Sequence, residues 1–275
     1  MKNVILVLKE QYENFYLIRR LSFYELKSAN NNNYLGIAWE FLNPLIQILI
    51  YWFVFGYGIR ERADIQISDG RFVAFLPWMI TGFILWLLFY QSTILGSKSI
   101  FVRLKMLSKM NFPMSIIPNI VMFSQLYIHF FMISLAVIVL FIFGYGLTIY
   151  FIQIFYFLFS TLVFSYAFAL ITSTLSTIIR DVHMFLNASL RLLLYVSPIL
   201  WDLSGSDLSP WIHQIMRLNP LFYLIEGYRA SFFGTSWYLI ENMEYTIYFW
   251  GLTIIILFIG SKIHIKFRRH LVDFL

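Results

Sequence analysis

The fold of this chain is decided by residues Tyr34–Gly58, YLGIAWEFLNPLIQILIYWFVFGYG. This stretch is long and apolar enough to cross a bilayer, since about 20 such residues span the hydrocarbon core. It also carries Glu40, Asn43 and Gln47 at positions i, i+3 and i+7, which places the three polar side chains on one face of a helix. An ionised carboxylate in hydrocarbon costs roughly 2.5–3.5 kcal/mol or more, so we expect this face to look toward protein, water or the headgroup region. Alternatively, Glu40 lies near enough to the end of the span to reach the membrane interface.

The overall composition is that of a polytopic membrane protein. Of the 275 residues, 60% are hydrophobic and only 12% are charged, whereas soluble domains carry about 25% charged residues. The chain contains no cysteine, which excludes disulfides and thiolate metal sites. The formal net charge of +6 is expected to record membrane topology and not the binding of nucleic acid.

The hydropathy pattern predicts an all-α polytopic fold with six transmembrane helices in one domain, 1–275. The predicted spans are 35–59, 72–95, 116–143, 147–179, 184–201 and 245–265. Residues 2–29 are predicted to form an amphipathic interfacial helix, whose apolar stripe would hold Leu8, Tyr12, Phe15, Phe23 and Leu26. Residues 211–218 and 221–233 are apolar but too short to cross, which is typical of re-entrant or interfacial helices packed on protein.

The distribution of Lys and Arg orients these elements. Most of these residues fall on the side of the two termini, which predicts that both termini are cytoplasmic. The acid-free stretch 96–118 belongs to that side and is predicted to hold a short basic helix, broken before Pro113. The two short helices, 211–218 and 221–233, then lie on the outer face.

Motifs for nucleotide or metal chemistry are absent from the sequence. Gly96-Ser97-Lys98-Ser99 lacks the first glycine of a phosphate-binding loop, and neither H-E-x-x-H nor G-x-S-x-G occurs. Besides Glu40, the ionisable residues His129 and Arg191 lie well inside predicted spans. We expect His129 to be a hydrogen-bonded packing residue, and Arg191 either to extend toward the interface or to pair with Glu40.

The order of motifs along the chain resembles the membrane subunits of ABC-2 type exporters of cell-surface polymers. The matching motifs are Y-L-G-x-x-W-E-x-x-N-P from Tyr34, N-F-P at Asn111–Pro113, I-R-D at Ile179–Asp181, S-P at Ser197–Pro198, N-P at Asn219–Pro220 and E-x-Y-R-A at Glu226–Ala230. Within that family, the spelling around these motifs looks most like the wall teichoic acid translocation permeases of Gram-positive bacteria. The resemblance covers the chain from end to end.

The resemblance implies a homodimer of six-span subunits in the cell membrane. Each copy would bind an ABC ATP-binding subunit on its cytoplasmic side, so that two such subunits hold the ATP and Mg and this chain holds no cofactor, metal or catalytic residue. The cargo would be a polyprenyl-diphosphate-linked wall teichoic acid, moved to the outer face. Membrane lipids complete the set of expected partners.

Three groups of site residues are predicted. The resemblance assigns coupling to the ATPase to Arg103, Lys105, Lys109, Arg180, Asp181 and His183. The polar face and nearby aromatic side chains predict a substrate path through Trp39, Glu40, Asn43, Gln47, Tyr51, Trp52, Arg191 and Tyr195. The resemblance assigns an outer gate to Trp211, Asn219, Pro220, Glu226 and Arg229. Plain topology could also explain the basic loop, and membrane anchoring could explain the aromatic residues.

Other functions remain open at this point. The cargo could be an O-antigen or a capsular polysaccharide, which differs from teichoic acid only in the polymer. A polyprenyl-sugar transferase would need reactive groups among the outer carboxylates Asp202, Asp207, Glu226, Glu241 and Glu244. An ion-coupled or proton-coupled flippase would have to rely on Glu40, Arg191 and His129.

Overall fold

A computed structural model describes residues 1–59, 64–107, 112–201 and 209–268. Over these residues the regular structure is helical apart from one short hairpin, in which strands β1 (Ile65–Gln66) and β2 (Phe72–Val73) pair antiparallel. The α-helices are α1 (Lys2–Glu13), α2 (Phe15–Ser28), α3 (Ala38–Tyr51), α4 (Phe75–Leu107), α5 (Ile117–Ile142), α6 (Gln153–Ile178), α7 (Asp181–Val196), α8 (Pro210–Arg217), α9 (Pro220–Phe233), α10 (Tyr238–Glu241) and α11 (Met243–Phe267). A π-helix at Trp52–Ile59 extends α3, and 3₁₀ turns at Met114–Ile116 and Ile149–Ile152 precede α5 and α6.

Five helices in the described residues are long and apolar enough to cross a membrane. They cover Ala38–Gly58, Phe75–Lys105, Met114–Ile142, Ile149–Ile178 and Met243–Phe267. The prediction of a helical multi-pass fold is therefore confirmed. The predicted fifth span, 184–201, corresponds to the 16-residue helix α7 and a non-helical segment after it. At 1.5 Å per residue α7 is about 24 Å long, less than the ~30 Å hydrocarbon core, so the count of six spans stays a prediction.

The two ends of the helix bundle are distinguished by long-range polar contacts. Arg268, just after α11, forms an ion pair with Glu10 of α1 at 2.7 Å, so both terminal segments meet at one end. At the opposite end, Arg71 in the hairpin donates a hydrogen bond of 2.8 Å to the carbonyl of Phe233, the last residue of α9. We call these the terminal end and the distal end.

Helix α4 forms the centre of the bundle. It has 33 residues and a length of about 50 Å, roughly 20 Å more than the hydrocarbon core, so it extends well beyond the membrane. Gly96 permits its close approach to α6, because a Cβ there would lie only 2.9 Å from Cβ of Ala169. The predicted separate basic helix was wrong. Ile100 and Leu104 are buried against Ile117 of α5, and this apolar contact continues α4 without a break to Leu107.

The N-terminal segment forms two helices, whereas the sequence predicted one. The break falls at Asn14, whose Nδ2 donates a hydrogen bond of 2.9 Å to the carbonyl of Glu10. Val7, Ile18 and Leu26 are buried, and so is Ser22. Most of the predicted apolar stripe is instead exposed, at Leu8, Tyr12, Phe15 and Phe23.

Polar contacts explain why this N-terminal face differs from the prediction. Gln11 donates to the carbonyl of Ser115 at 3.1 Å and accepts a hydrogen bond of 2.9 Å from Asn119. The buried face includes polar side chains such as Gln11 and is therefore not the most apolar face of the helix. The apolar pattern alone consequently predicted the wrong face as the buried one. The exposed aromatic side chains remain available to the membrane interface, which stays the predicted location of these helices.

Helix α9 inserts into the bundle from the distal end. Asn219 caps it, since its side-chain oxygen accepts a hydrogen bond of 3.1 Å from the Leu221 amide, and Pro220 occupies the first helical position. Twelve of its fourteen residues are buried. It reaches Gly82, seven residues into α4, where a Cβ would lie 2.9 Å from Nη2 of Arg229. The helix therefore descends about 10 Å into the core.

Helix α8 differs from α9 in its burial. Trp211, Ile215 and Leu218 are 60%, 56% and 62% exposed, while Met216 is buried against Phe222. Of the two short helices predicted to pack on protein, α9 does so over most of its surface, whereas among the described side chains of α8 only Met216 is buried. The eight residues of α8 complete only about two turns, which leaves room for few inward-facing side chains.

Candidate translocation path, coupling surface and outer gate

The predicted path begins on α3, which lies at the periphery of the subunit. Only 11% of the most apolar 18-residue stretch within Ala38–Gly58 is buried. Helix α7 approaches it at one point, where the Tyr51 and Tyr195 side chains are close enough to interact. We define the α3/α7 face by its exposed residues, Asn43, Ile46, Leu49, Ile50 and Phe53 of α3 and Met184, Phe185, Arg191, Leu192 and Tyr195 of α7. Because an arginine is costly in lipid, this face needs water or a polar partner.

The polar residues of α3 also border a cavity inside the subunit. Glu40, Asn43 and His129 line a space of about 200 Å³ between α3, α4 and α5. A neighbouring cavity of about 270 Å³ shares Glu40 and extends toward the terminal end as far as Arg103. We call these two cavities the inner groove. Gln47, predicted on the same face, is half-buried and is not among the residues that line it.

The hypothesised ion pair between Glu40 and Arg191 is not formed within the subunit. Glu40 accepts a hydrogen bond of 2.5 Å from Nδ2 of Asn30. Arg191 is exposed and forms no ion pair with the described residues of its own chain. The turn between α2 and α3 brings Asn30 to the carboxylate, so Glu40 already has a partner and Arg191 faces outward.

His129 connects the inner groove to α9. It is 3% exposed, its Nε2 lies 2.8 Å from the hydroxyl of Tyr228, and its ring has a further hydrogen bond to the backbone of Ile84. His129 is therefore a hydrogen-bonded packing residue, in agreement with its sequence context. Its partner Tyr228 is adjacent to Arg229, which belongs to the predicted gate.

The aromatic residues of the predicted path differ in their exposure. Trp39, Tyr51 and Trp52 are half-buried. The Tyr51 ring packs against Phe83 with centroids 5.2 Å apart, and Trp52 has the same spacing to Tyr57. Tyr195 is 56% exposed. Tyr195 thus presents the largest free aromatic surface of these four, while the other three also stabilise the subunit.

The predicted coupling elements meet at the terminal end. Arg180 and Asp181 are exposed in the turn between α6 and α7. Two residues later, Nδ1 of His183 lies 2.7 Å from the hydroxyl of Ser97 on α4. Burial, together with the nearby ammonium group of Lys98, lowers the pKa of His183, so the imidazole is neutral at pH 7. The turn is therefore attached to the extension of α4 and forms one surface with it.

Arg103 has a structural partner, which the sequence did not indicate. Its guanidinium forms an ion pair with Glu25 of α2 and donates a hydrogen bond of 3.0 Å to the carbonyl of Ser99. It thus fixes α2 to α4, because its half-buried side chain points at the N-terminal segment. Lys105 is exposed, and Lys109 lies outside the described residues.

The predicted gate residues surround the start and the middle of α9. Nδ2 of Asn219 donates a hydrogen bond of 3.0 Å to the hydroxyl of Ser197, which joins the N-P motif to the S-P motif. Glu226 and Arg229 form an ion pair at 2.6 Å. The Arg229 guanidinium also lies 3.5 Å from the ring centroid of Trp78. Of the predicted gate residues, Trp211 stands apart on α8.

Several of these contacts escaped the sequence analysis. Trp78, Ser97 and Glu25 each bind a predicted site residue from a distant part of the chain. No local spacing signals such pairs. The carboxylate of Glu226, considered as a possible catalytic group, is paired with Arg229, while Asp202 and Asp207 lie outside the described residues.

Comparison with known protein families now places the chain. A model of the ABC-2 type transporter family matches residues 16–233. The chain belongs to the ABC-2 type transporter family. The match covers the residues predicted for the path, the coupling surface and the gate of this ABC-2 subunit, and it confirms the family suggested by the motifs. The subunit is therefore a multi-pass membrane protein and a transport component.

Individual relatives of this ABC-2 subunit are export permeases. The O-antigen export system permease protein RfbA of Klebsiella pneumoniae is 30% identical over 259 residues, which cover 89% of this chain and 91% of the relative. The protein of that name from Myxococcus xanthus is 26% identical over 230 residues, 84% of this chain and 85% of the relative.

Proposed function

We propose that this chain is the permease subunit of an ATP-driven exporter that moves a polyprenyl-diphosphate-linked polymer to the outer face of the cell membrane. The family match and the named activity of the relatives support the class of transporter. The observation that carries the proposal is the α3/α7 face, which exposes Arg191 and Asn43 beside otherwise apolar side chains. Such a face would be unstable against lipid and suits the wall of a hydrated path.

A second copy of the chain would complete that path. Two copies related by a twofold axis present the same surface to each other. Their α3/α7 faces would then enclose Arg191 and Asn43 from both subunits, with Tyr195 offering aromatic surface to the cargo. Each subunit would cross the membrane six times, with residues 184–201 as the fifth crossing. The excess of basic residues at the terminal end favours a cytoplasmic location for both termini.

An ABC ATP-binding subunit would dock on the terminal end of each copy. It would hold ATP and Mg, since this chain carries no nucleotide-binding motif. The surface formed by the α4 extension and the Arg180–Asp181 turn is a rigid contact for it, because His183 and Ser97 join the two elements. Replacing Asp181 by asparagine should preserve ATP hydrolysis and abolish most export. Unchanged export by this variant would contradict the assigned role.

The cargo proposed is wall teichoic acid, and the alternative is an O-antigen or capsular polysaccharide. The motif spelling supports teichoic acid, while the relatives are O-antigen permeases. Lys98 and the exposed Lys105 provide positive charge at the terminal end, which would attract a polyanionic chain. Both cargoes require the same path and the same ATPase.

Reconstitution with a candidate ATP-binding subunit tests this proposal. The two proteins should co-purify, and their vanadate-sensitive ATP hydrolysis should respond to a lipid-linked precursor. The variant Arg191→Leu should fold normally, because the Arg191 side chain is exposed in the isolated subunit. It should lose most export, because Arg191 is proposed to line the path. Arg20→Leu is the matched control, since Arg20 is also exposed but lies on α2. If no ATP-binding subunit associates, or if both variants export normally, the proposal is wrong.

A further inference from the structure

Two adjoining cavities open at the distal end of a single subunit. Their volumes are about 600 Å³ and about 510 Å³, and they lie among the hairpin, α9, α10 and the start of α11. Both are lined by Arg217, Phe222, Tyr238, Glu241 and Asn242. We call the combined space the outer cleft. Each of the two cavities has the size of sites for small organic ligands, about 300–1,000 Å³.

Aromatic rings line much of this cleft and are held in place from behind. Trp78 and Arg229 both border the cleft, and the Arg229 guanidinium lies 3.5 Å from the ring centroid of Trp78, which is 4% exposed. The hydroxyl of Tyr248 donates a hydrogen bond of 2.7 Å to the carbonyl of Leu218, and that of Tyr245 donates to the carbonyl of Asn219 at 3.2 Å. Rings fixed through their hydroxyl groups are preorganised to offer flat apolar surfaces.

The polar groups that line the cleft are carboxylates, amides and hydroxyl groups, together with the guanidinium groups of Arg217 and Arg229. Asp69 is paired with Arg71 at 2.6 Å, and the Arg71 guanidinium lowers the pKa of this carboxyl. Glu241 and Glu244 are exposed and form no ion pair among the described residues. Their two negative charges face one positive charge in the shared lining, that of Arg217. The unpaired groups therefore carry a net negative charge. Carboxylates accept hydrogen bonds from hydroxyl groups and repel phosphates.

We propose that the outer cleft binds the sugar rings of the exported polymer and excludes its phosphates. The ring of Tyr248, which is 38% exposed, and the half-buried ring of Tyr245 would pack against the C–H surface of a pyranose ring, while Glu241 and Asn242 would bind its hydroxyl groups. This inference rests on the proposed export function and adds a site that one subunit forms without its partner copy. A saccharide retained there after leaving the membrane path would be hindered from slipping back.

Equilibrium titration of the purified full chain in lipid nanodiscs tests this site. The probes are neutral hexasaccharides of mannose, glucose, galactose, rhamnose and N-acetylglucosamine, and a hexamer of glycerol phosphate. At least one saccharide should bind and the glycerol phosphate hexamer should not. The double variant Glu241→Gln, Glu244→Gln should weaken saccharide binding about fivefold or more, since two charged hydrogen-bond acceptors are lost. The control Glu13→Gln changes an exposed carboxylate on α1 and should leave binding unchanged.

The outcomes separate this inference from the proposed function. Stronger binding of the glycerol phosphate hexamer than of every saccharide overturns the inference, and so does the absence of saccharide binding in a preparation that retains ATP-driven export. Equal binding by the double variant and the wild type, with unchanged thermal unfolding, also overturns it. Failure of export and of ATPase association would instead contradict the proposed function.

Discussion

Replacing Gly227 by alanine tests whether α9 is part of the core. A Cβ on Gly227 would lie 2.1 Å from Cε1 and 2.2 Å from Cζ of Phe157, whereas carbon atoms normally approach to about 3.5–4.0 Å. The ring has little room to move, because Phe157 is fully buried and packs against Tyr156 and Tyr223 at centroid distances of 5.0 Å and 5.5 Å. Overpacking costs about 1–3 kcal/mol, and this overlap belongs at the upper end.

The net effect includes a gain from helix propensity. Alanine is about 1 kcal/mol more favourable than glycine inside a helix, which leaves a net destabilisation of about 2 kcal/mol. At about 2–4 °C per kcal/mol, the Tm of the purified protein in detergent should fall by about 4–8 °C. The assay is thermal unfolding followed by tryptophan fluorescence and near-UV circular dichroism.

A matched substitution on α11 provides the control. No atom lies within 4 Å of a Cβ built on Gly251, so Gly251→Ala should leave the Tm unchanged or raise it slightly. The reasoning is refuted if Gly227→Ala unfolds within about 1 °C of the wild type, or if the two variants behave alike. Either result would mean that α9 does not pack on α6 in the way described.

Substitutions at three further contacts provide additional tests. Tyr228→Phe removes the hydroxyl beside Nε2 of His129 and leaves this buried nitrogen without that partner, so the free energy of unfolding should fall by about 1–3 kcal/mol. The control Tyr12→Phe, on the exposed side of α1, should have no effect in the same assay. Glu25→Gln and Arg103→Gln should each lower the Tm slightly, and the swapped pair Glu25→Arg with Arg103→Glu should recover part of the loss; no recovery would contradict a direct ion pair. Because the pKa of His183 is lowered in the folded protein, the unfolded chain binds this proton more readily as the pH falls. The stability that His183 contributes is therefore present above pH ~6.5 and is lost below it. The Tm difference between the wild type and His183→Gln should change between pH 7.5 and pH 5.5, and a constant difference would refute this assignment.

The parts of the fold that follow from local chemistry were predictable. The sequence Asn219-Pro220 starts α9 because asparagine caps the helix and proline suits its first position, and Gly234 ends it with a φ of +65°. The long apolar stretches identify the membrane-capable helices by length alone. The order of motifs identified the family, which the match over residues 16–233 confirms.

The parts that depend on distant contacts were not predictable. The basic composition after Gly96 suggested a separate helix, whereas the burial of Ile100 and Leu104 against α5 continues α4. The N-terminal segment buries a partly polar face, because Gln11 finds partners on the bundle. The resemblance assigned Arg103 to ATPase coupling, whereas its side chain forms an ion pair with Glu25 inside the subunit. In each case the deciding partner is remote in sequence and leaves no periodic signal.

The most direct test of the central claim, that two copies meet through their α3/α7 faces, is thiol cross-linking in native membranes. The chain contains no cysteine, so a single introduced residue supplies the only thiol. Leu192→Cys places it on α7, where the native side chain is 69% exposed, and Ile254→Cys places it on α11 at 62% exposure. With a bifunctional maleimide of about 10 Å reach, we predict a cross-linked dimer for Leu192→Cys and none for Ile254→Cys. Cross-linking through Ile254→Cys alone would contradict the claim.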